Sequence, residues 1–146
     1  MADEEERSGA PVTSTSVLLL TLARTIESEL SDALSELGLT VGRLGLLGHI
    51  KGVPGASFSE LARMSGITVQ STHTAVKALK AAGLVRDDTA RAGAASTITL
   101  TDEGHRTLRE AMSAVDSVDE RLFGAGASPI QRQVGEAVQG AFRSAR

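Results

Sequence analysis

The side chains best suited to chemistry lie in one stretch of the chain, from Thr68 to Lys80. On a helix, at about 100° per residue, its polar groups fall on one face and its apolar groups on the opposite face. The polar side chains are Gln70, Ser71, His73, Thr74, Lys77 and Lys80, and the predicted inward ones are Val69, Thr72, Val76 and Leu79. Such polar groups can hydrogen-bond base edges in the major groove of DNA and pair with phosphates. A solvated helix face explains this helix, taken alone, equally well.

The sequence offers little support for a metal site or a catalytic centre. Histidines occur at positions 49, 73 and 105, no two of them four residues apart, and the chain has no cysteine. Neither a Gly-x-Ser-x-Gly nucleophile turn nor a dinucleotide-type glycine loop is present. We therefore expect no enzyme activity, no metal ion and no cofactor.

The elements that position the polar stretch follow from caps, breakers and apolar periodicity. Residues 1–13 show no apolar period, so we expect a flexible tail there. A long amphipathic helix is predicted over 14–37, and a second helix over 41–50. The second helix carries a row of glycines that we interpret as a surface for close packing of another helix: Gly42, Gly45 and Gly48.

Two short helices joined by a tight turn are predicted next. Ser57 and Glu60 have the spacing of a capping box, which opens a helix over 58–64. After a turn that contains glycine, Thr68 caps a second helix that ends before Gly83. This arrangement is typical of the helix-turn-helix unit.

A β-hairpin and two further helices complete the predicted fold. Strands over 84–88 and 96–100 flank a loop of mostly small residues, so the tip of the hairpin should be exposed. Thr101 then caps a helix that runs to about residue 123, and Pro129 begins the last helix. The predicted fold class is mainly α with a small β-hairpin.

Apolar stripes on the first and last helices predict a partner subunit. The residues concerned are Leu18, Leu19, Leu20, Val134, Val138 and Phe142. A chain of this size cannot easily cover all of them by itself, so we favour a homodimer. The alternative is that the terminal helices fold back on their own chain.

Composition and charge limit the class of protein. The chain has 146 residues, the size of one ordinary domain, with 41% hydrophobic and only 2% aromatic residues, which favours an aliphatic, helical core. The net charge is −3, but residues 58–109 hold seven basic and five acidic side chains. The longest apolar run, Val17–Leu20, is too short to span a bilayer, and the acidic Asp3–Glu6 stretch is unlike a signal peptide. We expect a cytoplasmic protein without a membrane partner.

Three motifs follow the order of these elements: Leu61-Ala62-Arg63-Met64-Ser65-Gly66-Ile67-Thr68 with Val76 and Leu79, then Ala82-Gly83-Leu84-Val85, then Leu100-Thr101-Asp102-Glu103-Gly104. In this order they resemble the MarR family of winged helix-turn-helix regulators, and the likeness covers residues 14–144. The resemblance implies a homodimer on a near-palindromic double-stranded DNA operator. Residues 14–37 and 124–146 would be dimerisation helices, 40–109 the DNA-binding part and 102–123 a linking helix. It also implies a small aromatic or phenolic effector that weakens DNA binding.

The predicted wing and recognition helix depart from the family pattern. The family wing typically carries an Asp-x-Arg pair, whereas the corresponding stretch here is Arg91-Ala92-Gly93-Ala94-Ala95, which leaves Arg91 alone. Thr74 stands where relatives often have arginine. Because each lost phosphate contact weakens the salt-dependent part of binding, we expect weaker or narrower DNA binding.

Two functions are open from the sequence. The first is a dimeric, sequence-specific DNA-binding transcription regulator, in particular a repressor. Its predicted DNA-contacting residues are Thr68, Gln70, Ser71, His73, Thr74, Lys77, Lys80, Arg86 and Arg91. The second is a winged-helix protein-interaction module with weak or no DNA binding. Binding that falls steeply with ionic strength would indicate the first.

Overall fold

The computed structural model describes residues 14–88 and 97–145, and the predicted tail (1–13) and the whole predicted hairpin tip (89–95) lie outside this part. The described elements are α1 (Thr15–Ser35), α2 (Val41–Gly52), α3 (Phe58–Ser65), α4 (Val69–Ala81), β1 (Val85–Asp87), β2 (Ile98–Leu100), α5 (Asp102–Phe123) and α6 (Pro129–Ser144). The strands pair antiparallel. The structure thus confirms the fold class, mainly α with a small hairpin.

Helix N-termini lie where the sequence predicts them, because short polar side chains bond the first exposed N–H groups. Thr40, Thr68 and Thr101 each accept a hydrogen bond from the backbone N–H three residues later. At α3 the predicted capping box is present. The Glu60 N–H donates to Ser57 Oγ at 3.1 Å, and the Ser57 N–H donates to a Glu60 carboxylate oxygen at 2.7 Å.

The core lies between α2, α3, α4, the hairpin and α5. Its largest fully buried side chains are Leu34, Leu46, Leu47, Ile50, Leu61, Leu79, Ile98, Val118 and Thr72. All but Thr72 are aliphatic, as the low aromatic content predicts. Since this core includes residues of both α4 and the hairpin, it fixes the position of the helix that carries the polar stretch.

Several element bounds differ from the predictions by one or two residues. Helix α1 ends at Ser35 rather than residue 37, because the N–H groups of Leu37 and Leu39 both donate hydrogen bonds to the Leu34 carbonyl. Helix α2 continues to Gly52, past the predicted end at 50. The strands are shorter than predicted; in particular, the Leu84 N–H bonds the Leu79 carbonyl at 3.0 Å and so completes the end of α4.

Two packing predictions are wrong. A Cβ placed on Gly42, Gly45 or Gly48 would meet nothing within 4 Å, so no helix within residues 14–88 and 97–145 of the same subunit packs closely on that row. Val69 was predicted to face inward but is 42% exposed. It is the first residue of α4, and the packed face of that helix begins only at Thr72.

The terminal helices are only partly covered by their own chain. Helix α6 has no buried residue, and Ile130, Val138 and Phe142 are 66%, 52% and 74% exposed. In α1 the only buried residue is Leu34, near its C-terminal end, and Leu18 to Leu20 are exposed. The chain therefore leaves apolar faces on both helices open, contrary to the alternative in which they fold back on it.

Candidate nucleic-acid interface

Helices α3 and α4 are held at a fixed angle by a tight turn. Gly66 adopts the left-handed conformation with φ of 66°, which a residue with a side chain rarely adopts. The Ile67 N–H donates a hydrogen bond to the Ala62 carbonyl at 3.1 Å, and Thr68 then caps α4. The N-terminal end of α4 is thereby directed away from the core.

Helix α4 has one buried and one exposed face, as predicted apart from Val69. Thr72, Val76 and Leu79 are 0%, 3% and 1% exposed. The exposed polar residues of α4 form what we call the polar face: Gln70, Ser71, His73, Thr74, Lys77 and Lys80. The structure thus brings together all the predicted site residues of this helix.

Hydroxyl groups at the start of α4 are already engaged locally. Thr68 Oγ1 accepts from the Ser71 N–H at 3.0 Å and donates to Ser71 Oγ at 2.9 Å. Thr74 Oγ1 donates to the Gln70 carbonyl at 3.1 Å. The hydrogen bonds of Thr68 make it first of all the cap of α4. Each of these oxygens can still accept a further hydrogen bond, so Thr74 can accept one from a base amino group.

A cavity on one side of the polar face reveals a basic residue that the sequence analysis missed. The cavity is about 510 Å³, and Arg43 of α2 lines it together with Gln70, Ser71 and Thr74. Arg43 lies in the first turn of α2, where a positive charge interacts unfavourably with the positive end of the helix dipole. That unfavourable placement is the one sequence signal that could have marked Arg43 as a surface-contact residue.

On the other side of α4, His73 stacks on the first residue of α3. The His73 and Phe58 rings have centroids 3.7 Å apart and an interplanar angle of 19°. Both rings line a cavity of about 340 Å³ with Lys77, Lys80 and Asp87. His73 therefore lies at the edge of the polar face, where it was predicted, but with its ring plane fixed against α3.

The hairpin contributes one described basic residue near its base. Neighbouring residues of a strand face opposite sides, so Arg86 points outward while Val85 is buried. The Arg86 Nε lies 4.0 Å from Asp88 Oδ2. Both side chains are about two-thirds exposed, so this pair is weak. Arg91, the other predicted wing residue, lies outside the described residues.

The base of the hairpin is joined to α5 through a short set of contacts, which we call the wing-base contact. Thr101 Oγ1 donates to the Gly83 carbonyl at 2.6 Å and accepts from the Gly104 N–H at 3.0 Å. The Thr101 N–H donates to the Leu84 carbonyl at 3.1 Å. One threonine thus caps α5 and fixes it to the end of α4.

Electrostatic effects at the interface are local. The pKa of Glu60 lies below its ordinary value, mainly because its carboxylate accepts the Ser57 backbone N–H, with a further contribution from the Ser57 hydroxyl. Within 14–88 and 97–145, acidic and histidine side chains form no group of three that could hold a metal ion. No helix in these ranges has the length and apolar character needed to cross a bilayer.

Comparison with known proteins agrees with this architecture. A MarR family model matches residues 37–93. The HTH-type transcriptional repressor Rv2887 of Mycobacterium tuberculosis (strain ATCC 25618 / H37Rv) is 33% identical over 117 residues, which are 80% of this chain and 84% of the relative. The chain belongs to the MarR family. Its relatives by name are transcriptional regulators.

Two crystal structures of Mycobacterium tuberculosis Rv2887 resemble this MarR family chain over most of its length. The complex with DNA has a TM-score of 0.71 and 29% identity, covering 91% of this chain and 98% of the other. The complex with salicylic acid has a TM-score of 0.67 and 30% identity, covering 92% and 98%. The motifs that suggested the family now have physical roles: Gly66 forms the turn between α3 and α4, and Thr101 with Gly104 forms the wing-base contact.

Proposed function

We propose that this MarR family protein is a homodimeric transcriptional repressor that binds a near-palindromic double-stranded DNA operator. The observation that carries the proposal is the polar face of α4, exposed and held by a helix-turn-helix. A relative of the same fold is known in complex with DNA. We expect a regulator without catalytic activity that acts in the cytoplasm, where bacterial DNA is found.

Within this proposal, α4 enters the major groove with its N-terminus leading. Gln70, Ser71 and Thr74 supply hydrogen-bonding groups for base edges, and the exposed Ile67 and Val69 offer apolar contact to thymine methyl groups. The phosphate contacts are assigned to four described basic residues, Arg43, Lys77, Lys80 and Arg86, and to Arg91, which lies outside the described residues.

The open apolar faces of α1 and α6 support the dimer. Together with α5 they line a groove of about 690 Å³, whose apolar walls include Leu22, Ile26 and Val138. We assign this groove to the helices of a second subunit. A two-fold dimer would present two α4 helices to half-sites about one turn of DNA apart.

A small aromatic acid is the proposed effector class, because a relative at 30% identity is known in complex with salicylic acid. Effector binding shifts an equilibrium only by its different affinity for the two states. Salicylate should therefore bind the free protein more tightly than the DNA complex, and it should raise the apparent Kd for DNA.

The direct test is fluorescence anisotropy with DNA from just upstream of the protein's own gene, at about 50 and 200 mM salt. We expect two subunits per duplex and affinity that falls steeply with salt. Lys77→Ala should weaken binding and flatten the plot of log K against log salt by about 0.9 per lost phosphate contact. Arg109→Ala removes an equally exposed charge from α5 and should change neither.

Absence of DNA binding at both salt concentrations would refute the proposal. A complex with another protein that is insensitive to salt would then favour the protein-interaction module. If Lys77→Ala and Arg109→Ala had equal effects, α4 would have no special role in DNA binding.

A further inference from the structure

The stack of His73 on Phe58 connects the two helices of the helix-turn-helix at its exposed edge. Phe58 is half-buried at the start of α3, and His73 is exposed on α4. With centroids 3.7 Å apart and planes 19° from parallel, Phe58 covers one face of the imidazole. The ring edge, which carries both nitrogen atoms, therefore has a defined orientation on the polar face.

The charges around this stack are mostly positive. Lys77 and Lys80 of α4 line the same cavity, and among residues 14–88 and 97–145 Asp87 of β1 is the one acidic side chain lining it. Neither charged residue of α3, Glu60 or Arg63, lines the cavity. A DNA phosphate at this edge would add a negative charge and so favour the protonated ring.

We propose that Phe58 is a positioning residue for DNA binding, which holds the His73 imidazole where its protonated form contacts a DNA phosphate beside Lys77. The inference rests on the proposed DNA-binding function. Complex formation is then accompanied by uptake of at most one proton from solvent per His73. Histidine is suited to this role because its charge ordinarily changes between about pH 5 and 8.

Two measurable effects follow from a protonated phosphate contact. Affinity for DNA rises as the pH falls, by up to about tenfold per subunit for each unit by which the complex raises the pKa of the ring. The dependence of log K on log salt also becomes steeper at low pH, by about 0.9 for each added phosphate contact. A purely structural stack would produce neither effect.

The test is anisotropy on the operator DNA at about pH 8 and pH 6, with a salt series at each, since this range spans ordinary histidine titration. We expect wild type to bind more tightly and with a steeper salt slope at pH 6. His73→Gln should abolish both differences, so that its affinity and its salt slope are equal at pH 6 and pH 8. His105→Gln, which removes an exposed histidine from α5, should retain both.

Variants of Phe58 separate positioning from folding. Phe58→Leu keeps an apolar side chain but removes the aromatic face, so it should reduce the difference in affinity between pH 6 and pH 8. Phe58→Tyr keeps the face and should restore the effect. If Phe58→Leu does not fold, as judged by circular dichroism, the pH effects of Phe58→Tyr and His73→Gln are compared instead. The proposal then requires the effect to be present in Phe58→Tyr and absent in His73→Gln.

Three results would overturn the inference. Tight binding by wild type that is equal at both pH values refutes it while leaving the proposed DNA-binding function intact. Retention of the full pH effect in His73→Gln assigns the proton to another group. Loss of affinity in Phe58→Leu by the same factor at both pH values makes Phe58 a structural residue only. No DNA binding at either pH refutes the proposed function itself, and this inference with it.

Discussion

Replacing Gly104 by alanine should destabilise the protein, although the same change usually stabilises a helix. Gly104 lies in the first turn of α5, against the backbone at the end of α4. A Cβ at this position would lie 2.0 Å from the Leu84 carbonyl oxygen and 3.0 Å from the carbonyl carbon. Neither atom belongs to a flexible side chain, so α5 or the Leu84 peptide must move.

The expected size of the effect follows from three contributions. Overpacking of this kind costs about 1–3 kcal/mol. Movement of the Leu84 peptide also weakens its hydrogen bond with the Thr101 N–H, worth about 1 kcal/mol. The gain in helix propensity offsets about 1 kcal/mol. The net loss is about 2 kcal/mol, which lowers Tm by about 4–8 °C for a chain of this size.

Thermal unfolding followed by circular dichroism at one fixed protein concentration measures this effect, since the stability of a dimer depends on concentration. Gly45→Ala is the matched control, because a Cβ there meets nothing within 4 Å. It should stabilise the protein by up to about 1 kcal/mol. A Gly104→Ala variant as stable as Gly45→Ala would refute the close approach of α5 to Leu84.

Three further predictions concern other parts of the molecule. Thr101→Val should lower the free energy of unfolding in urea by about 1–2 kcal/mol, because it removes the cap of α5 and the hydrogen bond to the Gly83 carbonyl. An unchanged urea midpoint would contradict the wing-base contact. Val138→Asp should convert the dimer to monomer in sedimentation, whereas exposed Glu110→Gln should not, and a Val138→Asp dimer would contradict the assigned interface. Hydrogen bonds lower the pKa of Glu60 in the folded protein. At pH values above its pKa in the unfolded chain, about 4.3, the ionised carboxylate therefore stabilises the folded state in full. This stabilisation is lost as the pH falls through the pKa of the folded protein. The advantage of wild type over Glu60→Gln in urea midpoint should therefore shrink between about pH 7 and pH 3.5.

The wing-base contact also bears on how an effector signal could reach DNA. Thr101 fixes the N-terminus of α5 to the Gly83 and Leu84 carbonyls, and the Leu84 N–H bonds the carbonyl of Leu79 in α4. A shift of α5 relative to the core would therefore move the end of α4 with it. Since α5 also packs against α1 and α6, the contact joins the proposed dimer helices to the proposed DNA-contacting helix.

Much of the fold could be predicted because its signals are local. Each predicted cap is confirmed, since a cap bonds an N–H group only three residues away. The two faces of α4 follow from helical periodicity, which placed Thr72 and Leu79 inside correctly. Val69 was assigned wrongly because periodicity alone does not show where along a helix the packed face begins.

The sequence by itself determined the order of elements, the helix-turn-helix and the set of polar side chains on α4, because caps, turns and periodicity act over a few residues. Only the tertiary structure decided that Arg43 lines one cavity with Gln70, that Phe58 covers the ring of His73, and that α5 touches Leu84 at Gly104. Each of these contacts joins residues of different elements. Their distances depend on how the whole core packs, and local patterns carry no information about that packing.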